Sequence, residues 1–565
     1  MSSDAGWMPE LVLLAKNTLV WLDQLSRLHG RLIERLDEIP QESLEEIAWR
    51  GFNGLWLVGV WERSPASARI KRDQGQADAA PSAYSIRRYR IALELGGERA
   101  LERLTERAAR CGLRLAADFV PNHTAIDSDW VLRHPDRFLS VAKPPFRPYR
   151  FTGTNLSPRV RFRLRIEDGY RNHSDAAVVF ERTDLKTGER RYIYHGNDGT
   201  ATPWNDTAQL DYLNPETREA VIETIVEVAR RFPIVRFDAA MTLARQHLHR
   251  LWYPAPKHAG AVPSRAEHGM SDAAFAERLP REIWLDVVER LRVEAPGTLL
   301  LAEAFWLMEG YFVRELGLHR VYNSAFMHML RDGRTARLRR LVADTLALDR
   351  RMLGRFVNYL SNPDEAPAIA QFGCGDRYFG ACRLLAAMPG LPLFAHGQWE
   401  GLEEKYGMEF RRARTDDQAN REVVERHDRD VAPLLARRAR FSGVEDFRLL
   451  ELVGRDGATV EPVLAFANRG PAGRGDAEGV LVALNNASER VSGRLREAET
   501  KDRRGRERGH WVDLLAPSEP RAAESEVVLR DLTGPRRVAV DPAEARRDGL
   551  TLELAPWECA VLVRE

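Results

Sequence analysis

From about residue 18 onward the chain alternates short apolar runs with longer stretches whose apolar positions recur every three or four residues. The runs TLVWLDQ, GLWLVGVW, LRLAADFV, FPIVRFDA, TLLLAEAF, HRVYNSAF, RFVNYLS and LPLFAHG read as buried strands. The segments SLEEIAWRG, ALERLTERAARCG, ETREAVIETIVEVARR and REIWLDVVERLRVEA each carry one apolar face and read as the helices between them. Eight such repeats predict an α/β chain closed into a (β/α)8 TIM barrel rather than an open sheet.

Two stretches break the repeat. Between the third strand and the helix starting near Pro215 lie roughly ninety polar, aromatic and glycine-containing residues, far beyond a βα loop of about 2 to 6 residues. That length predicts a small inserted domain. After about residue 440 the helical period gives way to short alternating runs, FRLLELV, PVLAFANR, GVLVALNN, SEVVLRDL, LTLELA and ECAVLVRE, which predict an antiparallel β-sandwich. The expected division is 1–119 with 211–440 for the barrel, 120–210 for the insertion and 441–565 for the sandwich.

Composition narrows the function classes. Hydrophobic residues at 44% and charged residues at 30% describe a soluble globular protein, and a net charge of +1 over 565 residues gives no electrostatic reason to bind nucleic acid. The arginine-rich runs RTARLRR and TKDRRGRER read as solvated faces and loops. No apolar stretch approaches the roughly 20 residues of a membrane span. The opening MSSDAGWMPELVLLAK has neither a basic leader nor a small-residue cleavage site, so a cytoplasmic protein is expected. Cys111, Cys374, Cys382 and Cys559 lack ligand spacing and read as packed thiols. The glycine-rich RGPAGRGDAEG lacks the GK[ST] and helix of a phosphate loop.

The candidate chemistry lies at strand ends. In IVRFDAAMTL, Arg236 and Asp238 stand two residues apart and so leave a strand on the same face. Alone, an Arg-x-Asp is better read as a structural ion pair. The third strand, however, ends with Asp118 and then Asn122 and His123, the fifth with Glu303, and the seventh leads to Asp364. The C-terminal ends of barrel strands form the active-site rim, and scattered structural pairs have no reason to gather there. Carboxyl groups flanking a bond suit glycoside cleavage, one attacking the anomeric carbon while a protonated partner donates to the leaving oxygen.

The stretches DFVPNH, VRFDAAMT, LLAEAF and NYLSNPDE resemble, in order and strand placement, the four short regions of the α-amylase family, glycoside hydrolase family 13. AYSIRRYRIALELGG resembles that family's tyrosine-bearing segment after strand two, and LPLFAHGQWEG its turn after strand eight. The resemblance implies a retaining hydrolase or transglycosidase acting on α-glucans. It makes Asp238 the nucleophile, Glu303 the general acid and then base, and Asp364 the third carboxylate, holding sugar hydroxyls. His123 would bind the same sugar, Tyr84 would stack on it, and Arg236 would keep Asp238 ionised. Asp118 and Asn122 are placed among the substrate-site residues; in the family the aspartate is commonly structural and the asparagine often ligates calcium, with partners the sequence does not identify. Trp61, Trp204, Trp306 and Trp399 are candidates for further subsites or for core.

Two departures stand out. Asn362, Pro363 and Asp364 replace the family's usual Asn-His-Asp, and Met241 and Thr242 stand where Lys-His is usual. The proline resembles related maltosyltransferases that use maltose 1-phosphate, which is the alternative reading. A non-catalytic relative that binds sugar or protein is the second alternative. The loop PAPKHAGAVPSRAEHGM after strand four reads as a lid or, the favoured reading, as a surface excursion.

Overall fold

The computed structural model describes residues 1–199, 202–256, 263–305, 307–415, 417–471, 479–498, 510–515 and 526–565. Eight parallel strands close into a barrel: β1 Leu13–Asn17, β2 Gly54–Val58, β3 Arg114–Phe119, β4 Ile234–Phe237, β5 Leu299–Ala302, β6 Arg320–Tyr322, β7 Phe356–Tyr359 and β8 Leu391–Phe394. Each pairs with its sequence neighbours, and β1 closes the ring on β8 through Leu13 opposite Leu393. The strands are buried on both faces, which is why they read as continuous apolar runs rather than as alternations.

Seven of the eight strands coincide with the apolar runs; the first does not. TLVWLDQ lies in the helix Thr18–His29, and β1 is the preceding LLAKN. The Asn17 side chain accepts from the Val20 N–H and caps that helix, so the chain turns at Asn17 and the apolar residues after it pack as a helical face. Lys16 breaks the apolar run of the true strand. Its charge is buried against Glu400 at 2.7 Å, a partner hundreds of residues away.

Between β3 and the helix Pro215–Arg231 the chain forms a four-stranded antiparallel sheet, in the order Ser140–Val141, Arg190–Tyr194, Val179–Asp184, Phe162–Ile166. Thr207–Gln209 then pairs with His123–Ala125, directly after β3, so the excursion is anchored at the barrel rim. The C-terminal strands form one eight-stranded antiparallel sheet, not two separate ones. One face of all its strands, edges included, encloses a common core around Leu452, Leu481, Trp511 and Leu562. Such a sheet must curl on itself, sandwich-fashion, while its other face, with Phe466, Val482 and Val561, joins the core of the barrel. Strand Val491–Glu497 was missed because most of its outward residues are polar or charged, and Arg537–Val540 because it is only four residues long.

Smaller expectations also change. In RTARLRR, Arg339 is buried and donates to the Val463 carbonyl at 2.7 Å, docking its helix on the C-terminal sheet. Cys382 and Cys559 are packed, but Cys374 is exposed and Cys111 half-buried; all four are free thiols. The loop after β4 is more than a surface excursion: Arg265 lies buried over Trp252, and Tyr194 donates to Ser264 O. Its residues 257–262, most of RGPAGRGDAEG and all of TKDRRGRER lie outside the described residues. Among the described residues no helix is long and apolar enough to cross a membrane.

Candidate active site

At the C-terminal end of β4 the chain points Arg236 into the barrel, where its side chain is 1% exposed. Four carboxyl groups from four strands or their loops surround it. Nη1 donates to Asp238 Oδ1 at 2.6 Å and to Asp118 Oδ1 at 3.1 Å, while Nη2 lies 2.9 Å from Glu303 Oε2 and 3.7 Å from Asp364 Oδ2. The Tyr84 hydroxyl accepts from Nη1 at 3.2 Å, and the guanidinium also faces the rings of Trp56, Tyr84 and Tyr322. Trp56 Nε1 donates to the other oxygen of Asp118 at 2.9 Å. Asp118 therefore lies beneath the site, as a support for Arg236.

Local backbone geometry completes the placement. Ala239 adopts φ 43° and ψ 42°, a left-handed conformation that non-glycine residues seldom take. This turn aims its N–H at Glu303 Oε2, 2.7 Å away, linking the nucleophile candidate's neighbour to the acid candidate. Asn362 Oδ1 accepts from the backbone N–H of both Asp364 and Glu365, at 2.9 and 3.0 Å, and so shapes the turn carrying Asp364.

One cation among four carboxyls cannot balance them all. Burial pushes Glu303 up to about 8, against Arg236 and with help from the like charges of Asp238 and Asp364. Burial pushes Asp118 up to about 7, opposed by Arg236 and the Trp56 N–H. Asp364 is raised too, by burial and by Asp238, although 48% of its side chain is exposed to the cleft. Burial lowers His123, leaving its imidazole neutral at pH 7, and keeps the Tyr84 hydroxyl protonated.

Above this cluster opens a cleft of about 560 Å³. Asp238, Glu303 and Asp364 line it together with Tyr84, His123 and Trp204. The three carboxylates, the tyrosine and the histidine that the sequence singled out thus converge on one space, over Arg236. The cleft is open to a ligand rather than filled by side chains.

The same architecture recurs in solved structures at low sequence identity. The maltogenic α-amylase of Thermotoga neapolitana is 16% identical, with 98% of each chain covered and a TM-score of 0.59. The α-amylase of Geobacillus thermoleovorans, solved with acarbose, is 14% identical over 99% of each chain, with a TM-score of 0.61. The debranching enzyme of Nostoc punctiforme, soaked with acarbose, is 15% identical over 100% of each chain, with a TM-score of 0.58. The chain has the α-amylase fold. No protein-family model matches the sequence, and no curated protein matches it.

Within this α-amylase fold the remaining candidates divide. Asn122 is wholly buried, and its Oδ1 and backbone oxygen both accept from Gln209 Nε2 at 3.0 Å. Calcium needs six to eight oxygen ligands, carboxylates among them. Among the described residues no cluster of three His, Cys, Asp or Glu side chains could hold a metal. Asn122 thus ties the end of β3 to Gln209. It also stays off the cleft wall. Trp61 and Trp399 are core residues, each 1% exposed, their indole N–H groups donating to Asp118 O and Asp428 Oδ1. Trp204 reaches the cleft and packs on His123 with centroids 5.2 Å apart. Trp306 lies outside the described residues.

The cleft also has walls that sequence reasoning missed. Phe305 and Met241 line it beside Glu303, and Lys71, Asp198, Asp206, Met408 and Glu409 line it elsewhere. Met241 stood in the resembling stretch but was read only as the loss of a lysine. Met408 and Glu409 belong to the segment after β8 that carries no recognisable pattern. Only its folding back over the rim brings it to the site.

Proposed function

We propose that the protein is an enzyme of the α-amylase family, a retaining glycoside hydrolase or transglycosidase acting on α-glucans. The observation that carries this reading is the pair Asp238 and Glu303 held by the two terminal nitrogens of one guanidinium at the floor of an open cleft. A shared guanidinium brings the two carboxyls near one another, which supports a retaining pair at roughly 5 Å.

Each residue's task follows from its contacts. Asp238 Oδ1 is engaged by Arg236, so Oδ2 is the attacking oxygen. Oε2 of Glu303 accepts from the Ala239 N–H and lies 2.9 Å from the Arg236 Nη2 cation, which favours Oε1 for the proton that burial retains. Asp238 attacks the anomeric carbon; the bond to the leaving oxygen breaks, and its electron pair takes the proton from Glu303. The Glu303 carboxylate then removes a proton from water or a sugar hydroxyl, whose oxygen attacks the same carbon and releases Asp238. Asp364 and His123 bind the hydroxyls of the retained ring, and Tyr84 packs on its face.

The charge of the cleft speaks against the maltose 1-phosphate alternative. Asp198, Asp206, Asp238, Asp364 and Glu409 line it beside the protonated Glu303, against Lys71, with Arg236 already committed beneath. A phosphate of about −1.5 to −2 charge would enter against that field, whereas a neutral glucan would not. Incubation with maltoheptaose, in parallel with maltose 1-phosphate plus a maltooligosaccharide acceptor, tests the reading by chromatography. Shorter products from maltoheptaose alone are expected, with longer ones alongside if sugar competes with water. Extension only with the phosphorylated donor, with phosphate released, would establish the maltosyltransferase instead.

A further inference from the structure

The segment after β8 does not return directly to the outside of the barrel. Residues 405–409 cross the rim and are hydrogen-bonded at three strand ends, those of β7, β1 and β2. Lys405 Nζ donates to Asp364 O at 2.5 Å, in the loop after β7. Gly407 O accepts from Asn17 Nδ2, at the end of β1, at 3.3 Å. Met408 O accepts from Ala83 N, and Glu409 O from Ala80 N, both at 2.9 Å, in the loop after β2. The closed order of the barrel makes β7, β8, β1 and β2 contiguous, so these bonds describe one continuous strap over half of the rim.

Two further features hold the strap in place. Tyr406 is buried, packs on the His396 ring with centroids 4.6 Å apart, and accepts from Gln24 Nε2 at 2.9 Å. Arg63 is a buried guanidinium whose hydrogen-bond acceptors are carbonyls: Gly59 O at 2.7 Å, Pro81 O at 3.1 Å and Met408 O at 3.4 Å. A buried cation held by carbonyls of three segments fixes their spacing, because moving any one of them would leave the charge less satisfied. Inside the strap, between it and the strand ends, only about 40 Å³ of space remains, bounded by Asn17, Pro363, His396 and Tyr406.

The strap stands on a particular side of the chemistry. Glu303, which donates to the leaving oxygen, comes from β5, and Met241 and Phe305 line the cleft beside it after β4 and β5. Tyr84, next to the tied Ala83, and Asp364, whose carbonyl holds Lys405, lie on the side of the retained sugar. Resting on the reading of Asp238, Glu303 and Asp364 as a retaining site, we infer that the 405–409 strap closes the cleft on the side of the retained sugar, so that the enzyme acts on the non-reducing ends of α-glucans. A chain enters with its terminal sugars against Tyr84, Met408 and Glu409, and the polymer extends past Met241 and Phe305. A glucan cannot continue through the strap.

The test compares p-nitrophenyl maltoheptaoside carrying a free non-reducing end with the same substrate blocked there by a 4,6-O-ethylidene group, both followed by chromatography at the nitrophenyl absorbance. The free substrate should shorten from its non-reducing end by a fixed step, and the blocked one should lose all detectable cleavage. Cleavage of both at comparable rates would overturn the closed strap while leaving the glycosidase reading intact. Cleavage of neither would overturn the glycosidase reading and the strap's role with it.

Discussion

Two buried arginines mark opposite ends of the barrel, and their surroundings differ in kind. Arg320, at the N-terminal end of β6, is 1% exposed and grips Asp4 with both terminal nitrogens, at 2.9 and 3.0 Å. Its remaining acceptors are the carbonyls of Met8 and His319, and Arg355 binds the same Asp4. Arg236, at the C-terminal end of β4, is equally buried but faces four carboxyls beside a cleft. At the N-terminal end two cations share one carboxylate, and burial of Asp4 is outweighed by Arg320 and Arg355, which hold its carboxyl below the ordinary value. At the C-terminal end like charges are crowded, and carboxyls are pushed up. A fold gains nothing in stability from surplus carboxylates around one cation, and this crowding beside an open cleft is what supports the proposal that chemistry belongs to the C-terminal end.

The largest effect that could break this comparison is catalytic. Asp238→Ala should lower turnover of maltoheptaose by about 10⁴-fold or more, the scale seen when a nucleophile is lost. Stability to urea should not fall, because the variant removes one of the crowded charges. Persistence of full activity would remove the distinction between the two ends.

Next comes the other end. Asp4→Ala leaves Arg320 and Arg355 without their shared anion and should cost about 3 kcal/mol of unfolding free energy, measured by urea denaturation. Turnover at a temperature where the variant is folded should match the parent. A loss of turnover without a loss of stability would reverse the assignment of the two ends.

A smaller effect sharpens the role of Glu303. Its folded value lies near 8 and its ordinary value at 4.5, so the folded state keeps a proton that the unfolded chain releases. Stability from this group is therefore complete below about 4.5 and is lost progressively as pH rises toward about 8. Glu303→Gln stays neutral and should gain stability relative to the parent across that window, read as a difference in denaturation midpoint that grows and then levels off. The parent's activity should fall on the alkaline side as Glu303 loses its proton, and an alkaline limb that survives unchanged in Glu303→Gln would assign it to another group. The smallest effect expected is that of a chelator: removal of divalent ions should change neither melting temperature nor turnover, given Asn122 bonded to Gln209. A fall restored by calcium would place a cation elsewhere in the fold.

How far the sequence could be read follows from which contacts are local. The barrel was legible because each strand is a continuous apolar run set by burial on both faces, and the rim because Asp118, Arg236, Asp238 and Glu303 sit in or directly after such runs. The exception is instructive. LLAKN, with a lysine and an asparagine at its end, looked less strand-like than TLVWLDQ, and what decided between them was the Asn17 cap together with the pairing of Lys16 with Glu400. Trp61, Trp204 and Trp399 were equivalent as letters, and only packing showed that one reaches the cleft while two are core.

By itself, then, the sequence determined the repeat, the strand ends and the residue types that glycoside cleavage needs, because periodicity and order along the chain are local properties. The tertiary structure alone decided that four carboxyls share one guanidinium, that Asn122 is occupied by Gln209, and that a strap joins Asp364, Asn17 and Ala83 through residues 405–409. Apart from Asp238 beside Arg236, those are contacts between segments tens to hundreds of residues apart. Their energies depend on burial and distance that no local pattern encodes.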